Sequence, residues 1–167
     1  MQTQPDRIRI NTKQIVIGLI GLLIGIVFYL VDRPPGDVYF VRQLGSHLSR
    51  YGKWPVIFGR LGASLPAFIH AFSFSLISTG IMAARIRGAI AICSGWVVVD
   101  ILFEIGQKYH AVVNKLIPDW FDGILFLENT RAYFREGTYD MNDVIATCIG
   151  GGVAFLVIVM TLRRKTI

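Results

Sequence analysis

The sequence predicts an all-α fold, an integral membrane four-helix bundle with interfacial loop helices, and three observations carry that prediction. Four apolar runs recur along the 167 residues, each close to the ~20 helical residues that cross a bilayer core of ~30 Å. Charged residues make up only 17% of the chain and gather between the runs rather than along them. Mean hydropathy is +0.54, high for a water-soluble domain of this length. One membrane domain over 1–167 follows, with spans at about 15–31, 61–83, 88–107 and 143–162.

The first span, 15–31, carries no charge. Its basic preface (Arg7, Arg9, Lys13) resembles a secretory signal, but Asp32-Arg33-Pro34-Pro35 gives no small-residue cleavage site, so the run reads as an uncleaved anchor. Gly21 and Gly25 form a GxxxG pair with Gly18 nearby, a face suited to close helix contact and to a homo-oligomer. In the second span Ser64 reads as an N-cap and Pro66 as an early helix position. A tight turn over 84–87 leads into the third span, and the fourth begins at Asp143.

Orientation follows from charge. The N-terminal segment, the tight turn and the tail carry Arg7, Arg9, Lys13, Arg85, Arg87, Arg163, Arg164 and Lys165 against Asp6 alone, whereas the two longer loops mix bases with most of the acids. The positive-inside bias therefore predicts both termini in the cytoplasm and loops 32–60 and 108–142 outside. The net charge of +6 flanks the apolar runs and forms no single stripe, so membrane lipids, not nucleic acid, are the expected partner. Cys93 and Cys148 are too few for a disulfide scaffold and read as small packing residues.

Within 38–51, Val38, Val41, Leu44, Leu48 and Tyr51 recur at helical spacing opposite Arg42, Gln43, Ser46, His47 and Arg50, as in a helix lying among headgroups. Tyr39, Tyr51, Trp54, Trp120, Phe121, Tyr133 and Phe134 mark the interface. The stretch 120–134 either dips into the outer leaflet or forms a surface loop with lipid anchors.

Polar residues inside the spans need a reason. Asp100, Glu104 and Gln107 are four and seven residues apart, one face of a helix. Glu104 then lies ~5 Å and Asp100 ~10 Å deeper than Gln107. A carboxylate at mid-membrane costs ~3 kcal/mol on insertion scales, so two on one face point to a site. His70 falls in the outer half of the second span with Ser73 on its face, and Asp143 opens the fourth span with Thr147 one turn deeper. Glu104, His70 and Asp100 are thus the candidate catalytic residues. Structural readings stand beside these. Asp143 can complement a helix dipole, Gln107 can be interfacial, and His70 can be a packing histidine. Asp100 and Glu104 can pair with Arg135, Arg60 or His70. His47 and His110 read as solvated loop residues. A metal on His70, Asp100 and Glu104 suits the ligand types but no spacing motif, so no metal or other cofactor is expected.

Glu104-Ile-Gly-Gln107, followed by Arg135-Glu-Gly-Thr-Tyr-Asp140-Met-Asn-Asp143-Val-Ile-Ala and a glycine-rich helix, resembles the VanZ-like family of bacterial membrane proteins, named for a member giving teicoplanin resistance. His70-Ala-Phe72 matches the family's upstream His-x-aromatic, and the likeness covers about 61–162. Thr147 stands where the family has Asn, and the stretch from Gln107 to Asp140 is longer than the family's. The resemblance implies a bacterial cytoplasmic (inner) membrane protein with cell-envelope or glycopeptide-related work. It marks Gln107, Arg135, Asp140 and Asp143 as ligand-binding positions, with Arg135 available to an anionic headgroup. Three functions stay open. One is binding or processing of a lipid-linked glycan precursor, with Glu104 or Asp100 as general acid or base and His70 as partner. The others are a transporter or flippase component and a scaffold or accessory subunit.

Overall fold

The computed structural model describes residues 10–37, 41, 46–53, 57–125 and 127–163. Among them every regular element is helical: α1 (Thr12–Asp32), α2 (Leu65–Ile81), α3 (Ile86–Lys108), α4 (His110–Leu116), α5 (Thr130–Glu136) and α6 (Met141–Arg163), joined in places by single 3-10 turns. Three of these, α1, α3 and α6, are long and apolar enough to cross a membrane. The fourth expected span is shorter than its apolar run: α2 has 17 residues, ~26 Å of helix, because a 3-10 turn at Gly59–Gly62 occupies the start of that run. Ser64 is the N-cap and Pro66 sits in the first turn, although the serine side chain makes no capping bond. The expected helix over 38–51 lies largely outside the described residues, as do Arg7, Arg9, Tyr39, Trp54, Arg164 and Lys165. The described part of that loop holds a 3-10 turn, Ser46–Leu48, and Arg50 N–H donates to Leu30 O at 2.7 Å.

The short helix is the centre of the bundle. Its buried positions are mostly small (Ala71, Ser73, Ser75, Thr79, Gly80), so α1, α3 and α6 approach it closely from three sides. Against α1, a Cβ on Gly18 would fall 2.8 Å from Ser73 O and one on Gly25 3.2 Å from Ile69 Cγ2. The Gly21/Gly25 face expected to serve a second copy is therefore filled by α2 of the same chain. Against α6, Gly150 packs on the Phe68 backbone while Leu76 meets Ala154 and Ile158, so the two helices run parallel in constant register. Gln14 Nε2 donates to Thr161 Oγ1 at 2.8 Å and Asn11 N–H to Gly80 O at 2.9 Å, tying α1, α2 and α6 at one end, here the turn end. The turn from α2 to α3 there places Ala83 at φ +48°, a strained left-handed conformation for a residue with a Cβ.

Outward, α1 exposes Val16, Leu19, Ile20, Leu23, Ile24 and Val27, α3 exposes Val98, Leu102 and Phe103, and α6 exposes Ile149, Leu156 and Met160. Apolar surface this continuous suits hydrocarbon, where helices satisfy their own backbone. At the opposite, loop end, residues 109–140 fold over the bundle. Arg131 fastens this segment: its Nη2 donates to Asp119 Oδ1 at 2.7 Å and Ile117 O at 2.8 Å, and its Nη1 donates to Asp122 Oδ2 at 3.0 Å. Helix α5 then crosses the end of α3, with the Phe134 ring stacked on Phe103 at 5.5 Å and seated on Gly106.

Candidate functional site

The three polar residues of α3 turn inward while their neighbours Val99, Leu102 and Phe103 are exposed. Glu104 and Gln107 are each 8% exposed, and the Asp100 side chain is 11% exposed. Helical periodicity thus sorts acid from hydrocarbon on one helix.

Two layers form at the loop end. In the layer nearer the loops, Asp140 N–H donates to Glu104 Oε2 at 3.3 Å. Asp140 Oδ1 accepts Asn142 N–H at 2.8 Å, and Asp140 O accepts Asp143 N–H at 3.1 Å, so Asp140 starts α6 while binding α3. The carboxylates of Asp143, Asp140 and Asp100 all lie within electrostatic reach of Glu104. The Gln107 side chain lies near the Tyr133 hydroxyl. Tyr133 remains 41% exposed. Partial burial, with Glu104, Tyr29 and Asp100 within electrostatic reach, pushes its pKa up to about 12 despite the nearby Gln107 amide. Tyr29 of α1 lies within electrostatic reach of Arg33 and Asp143. Gly137 lets the chain pass over Gln107, because a Cβ there would stand 2.6 Å from Gln107 Cδ.

One turn deeper, His70 Nδ1–H donates to Asp100 Oδ1 at 2.6 Å. Phe74 and Trp96 wall the imidazole, with ring centroids 4.4 Å and 5.7 Å from it, and Trp96 Nε1–H is held by Ser78 Oγ at 3.0 Å. The His70 side chain is 45% exposed, so the layer opens sideways between α2 and α3. With Nδ1 committed to the carboxylate, Nε2 is the nitrogen left to meet a ligand.

His70, Asp100, Glu104, Gln107, Asp140 and Asp143 therefore gather at one end of the bundle. Arg135 does not join them: its side chain is 68% exposed and reaches Glu136 Oε1 at 3.3 Å. The α5 face that bears Phe134 covers α3, and Arg135 one residue on points away. His47 is exposed in its loop, and His110 Nδ1 lies 3.3 Å from Gln107 O at the start of α4. Tyr29, Phe74 and Trp96 were not among the expected site residues, and Tyr133 was expected only as an interface marker. Helical spacing holds a signal for two of them, since Phe74 is four residues after His70 and Trp96 four before Asp100. Among the described residues no group of three or more His, Cys, Asp or Glu has the arrangement to hold a metal ion.

No family model matches the chain, and no curated protein or solved structure matches it. The class that fold and site define is an all-helical protein, suited to a membrane, with a buried acidic group at one end of the bundle.

Proposed function

We propose that this chain binds or processes a lipid-linked envelope precursor at a site open to the outer leaflet. In this reading α2 is the fourth span, its shortfall covered by the loop-end segments. Both termini face the cytoplasm of a bacterial inner membrane. The observation that carries the proposal is the His70–Asp100 pair, its imidazole half-exposed and its carboxylate nearly buried, with Glu104 within electrostatic reach. An ionisable pair facing the bilayer side is costly to keep unless something polar meets it there. Asp100 fixes the imidazole and leaves Nε2 as a general base for a hydroxyl or a water. The motif order shared with the VanZ-like family favours the same envelope setting. The test is lipid analysis of the purified full chain: isoprenoid-linked glycans should co-purify and fall about tenfold in His70→Gln, a loss of ~1.4 kcal/mol in binding. An identical lipid profile in both proteins would refute it.

A scaffold reading is favoured by one contact, the Glu104–Asp140 bond that ties the loop segment to α3. Glu104→Gln and Glu104→Ala separate the two. Loss of the protein in Ala alone marks a structural tie, whereas loss of lipid retention with normal accumulation in both marks a binding site.

A further inference from the structure

The buried, unpaired atoms of this site are two carboxylate oxygens and one hydroxyl. Asp100 Oδ2, Asp143 Oδ1 and Thr147 Oγ1 are buried, and none has a hydrogen-bond partner among the described residues. Thr147 is only 1% exposed. Its place in the site follows from register. Gly151 packs against Val97 of α3, and Thr147 lies one turn nearer the loop end on the same face, where the antiparallel α3 presents Asp100 and Ile101. Asp143 is one turn further along that face, so these acceptors fall within about 6 Å along the helix axis. Among the described residues, four nearby cations have contacts of their own. Arg131 is held by Asp119 and Asp122, Arg135 by Glu136, and Lys108 lies over the Tyr109 and Tyr139 rings. Arg33 donates to Ala63 O and lies over Phe28.

Unpaired buried carboxylate oxygens call for a donor that is also positive. From this we infer that the ligand presents a protonated primary amine to the buried group of Asp100, Glu104, Asp143 and Thr147. An –NH3+ group brings three N–H donors and one positive charge, whereas a phosphate brings further acceptors and negative charge to a site that already has both. The inference rests on the lipid-binding reading and gives it a headgroup chemistry: the recognised end is the amine, not an anionic group.

The test uses the full chain in detergent with equal amounts of dioleoyl phosphatidylethanolamine, its N-acetylated form and dioleoyl phosphatidylglycerol, read by native mass spectrometry. The amine lipid should be retained about tenfold over the other two. Asp143→Asn and the near-isosteric Thr147→Val should each bring retention to parity, with unchanged helical circular dichroism as the check on folding. Free ethanolamine forms a second arm. Displacement at matched concentration assigns the amine to a soluble ligand, and displacement only by lipid assigns it to a membrane one; both uphold the amine. Equal retention of all three lipids, preference for phosphatidylglycerol, or a preference that survives both substitutions overturns the inference. Retention without amine preference leaves the lipid-binding reading standing, whereas retention of no lipid at all removes both.

Discussion

Gly137→Ala tests how the loop segment is held over the site. The backbone at Gly137 (φ −70°, ψ 150°) is open to any residue, so the substitution acts through space alone. The new methyl would sit 2.6 Å from Gln107 Cδ, 2.9 Å from Gln107 Nε2 and 2.7 Å from Tyr133 O. Gln107 can swing, but only by moving away from the Tyr133 hydroxyl. Tyr133 O cannot retreat easily, because it accepts Gly137 N–H at 3.0 Å where α5 ends. Overpacking of this kind costs ~1–3 kcal/mol. Thermal unfolding of the full chain in detergent, followed by circular dichroism, should show that loss. Gln107→Ala in the same background should recover part of it and no more, since the clash with Tyr133 O stays. Wild-type stability in Gly137→Ala would refute the close passage of 137–140 over α3.

Three further outcomes follow from other parts of the molecule. Cysteines placed at Gly36 and Glu128 should react with an impermeant reagent from outside the cell and one at Arg85 should not; reaction at Arg85 would reverse the proposed orientation. Tyr133 ionises only near pH 12 when folded against an ordinary value of 10.0, so the fold binds that proton more tightly than the unfolded chain does. Its contribution is complete below pH 10 and declines between about pH 10 and 12. Tyr133→Phe should flatten the alkaline loss of stability in that window, and an unchanged pH profile would count against the buried hydroxyl. Gln14→Ala removes the side-chain tie from α1 to Thr161 of α6 and should cost ~1–3 kcal/mol in the same melting assay, because a buried polar contact is lost at a position only 1% exposed.

The local features of this protein were written in its sequence. Apolar length fixed α1, α3 and α6, and a 3.6-residue period placed Asp100, Glu104 and Gln107 on one face, because both depend only on neighbours along one helix. Asp143 at the head of α6 and His70 near the start of α2 were legible for the same reason. What tertiary structure decided was how those faces turn toward one another. It made the short α2 the central helix and used the Gly21/Gly25 face inside the chain. It paired His70 with Asp100, gave Glu104 the Asp140 amide, and left Arg135 outside with Glu136. Rotation and register of packed helices are set by many small contacts at once, such as Gly150 on Phe68 and Gly151 on Val97. No single residue announces that sum. A pattern along one strand of sequence therefore shows which side chains share a face, and only the packed bundle shows which side chains they meet.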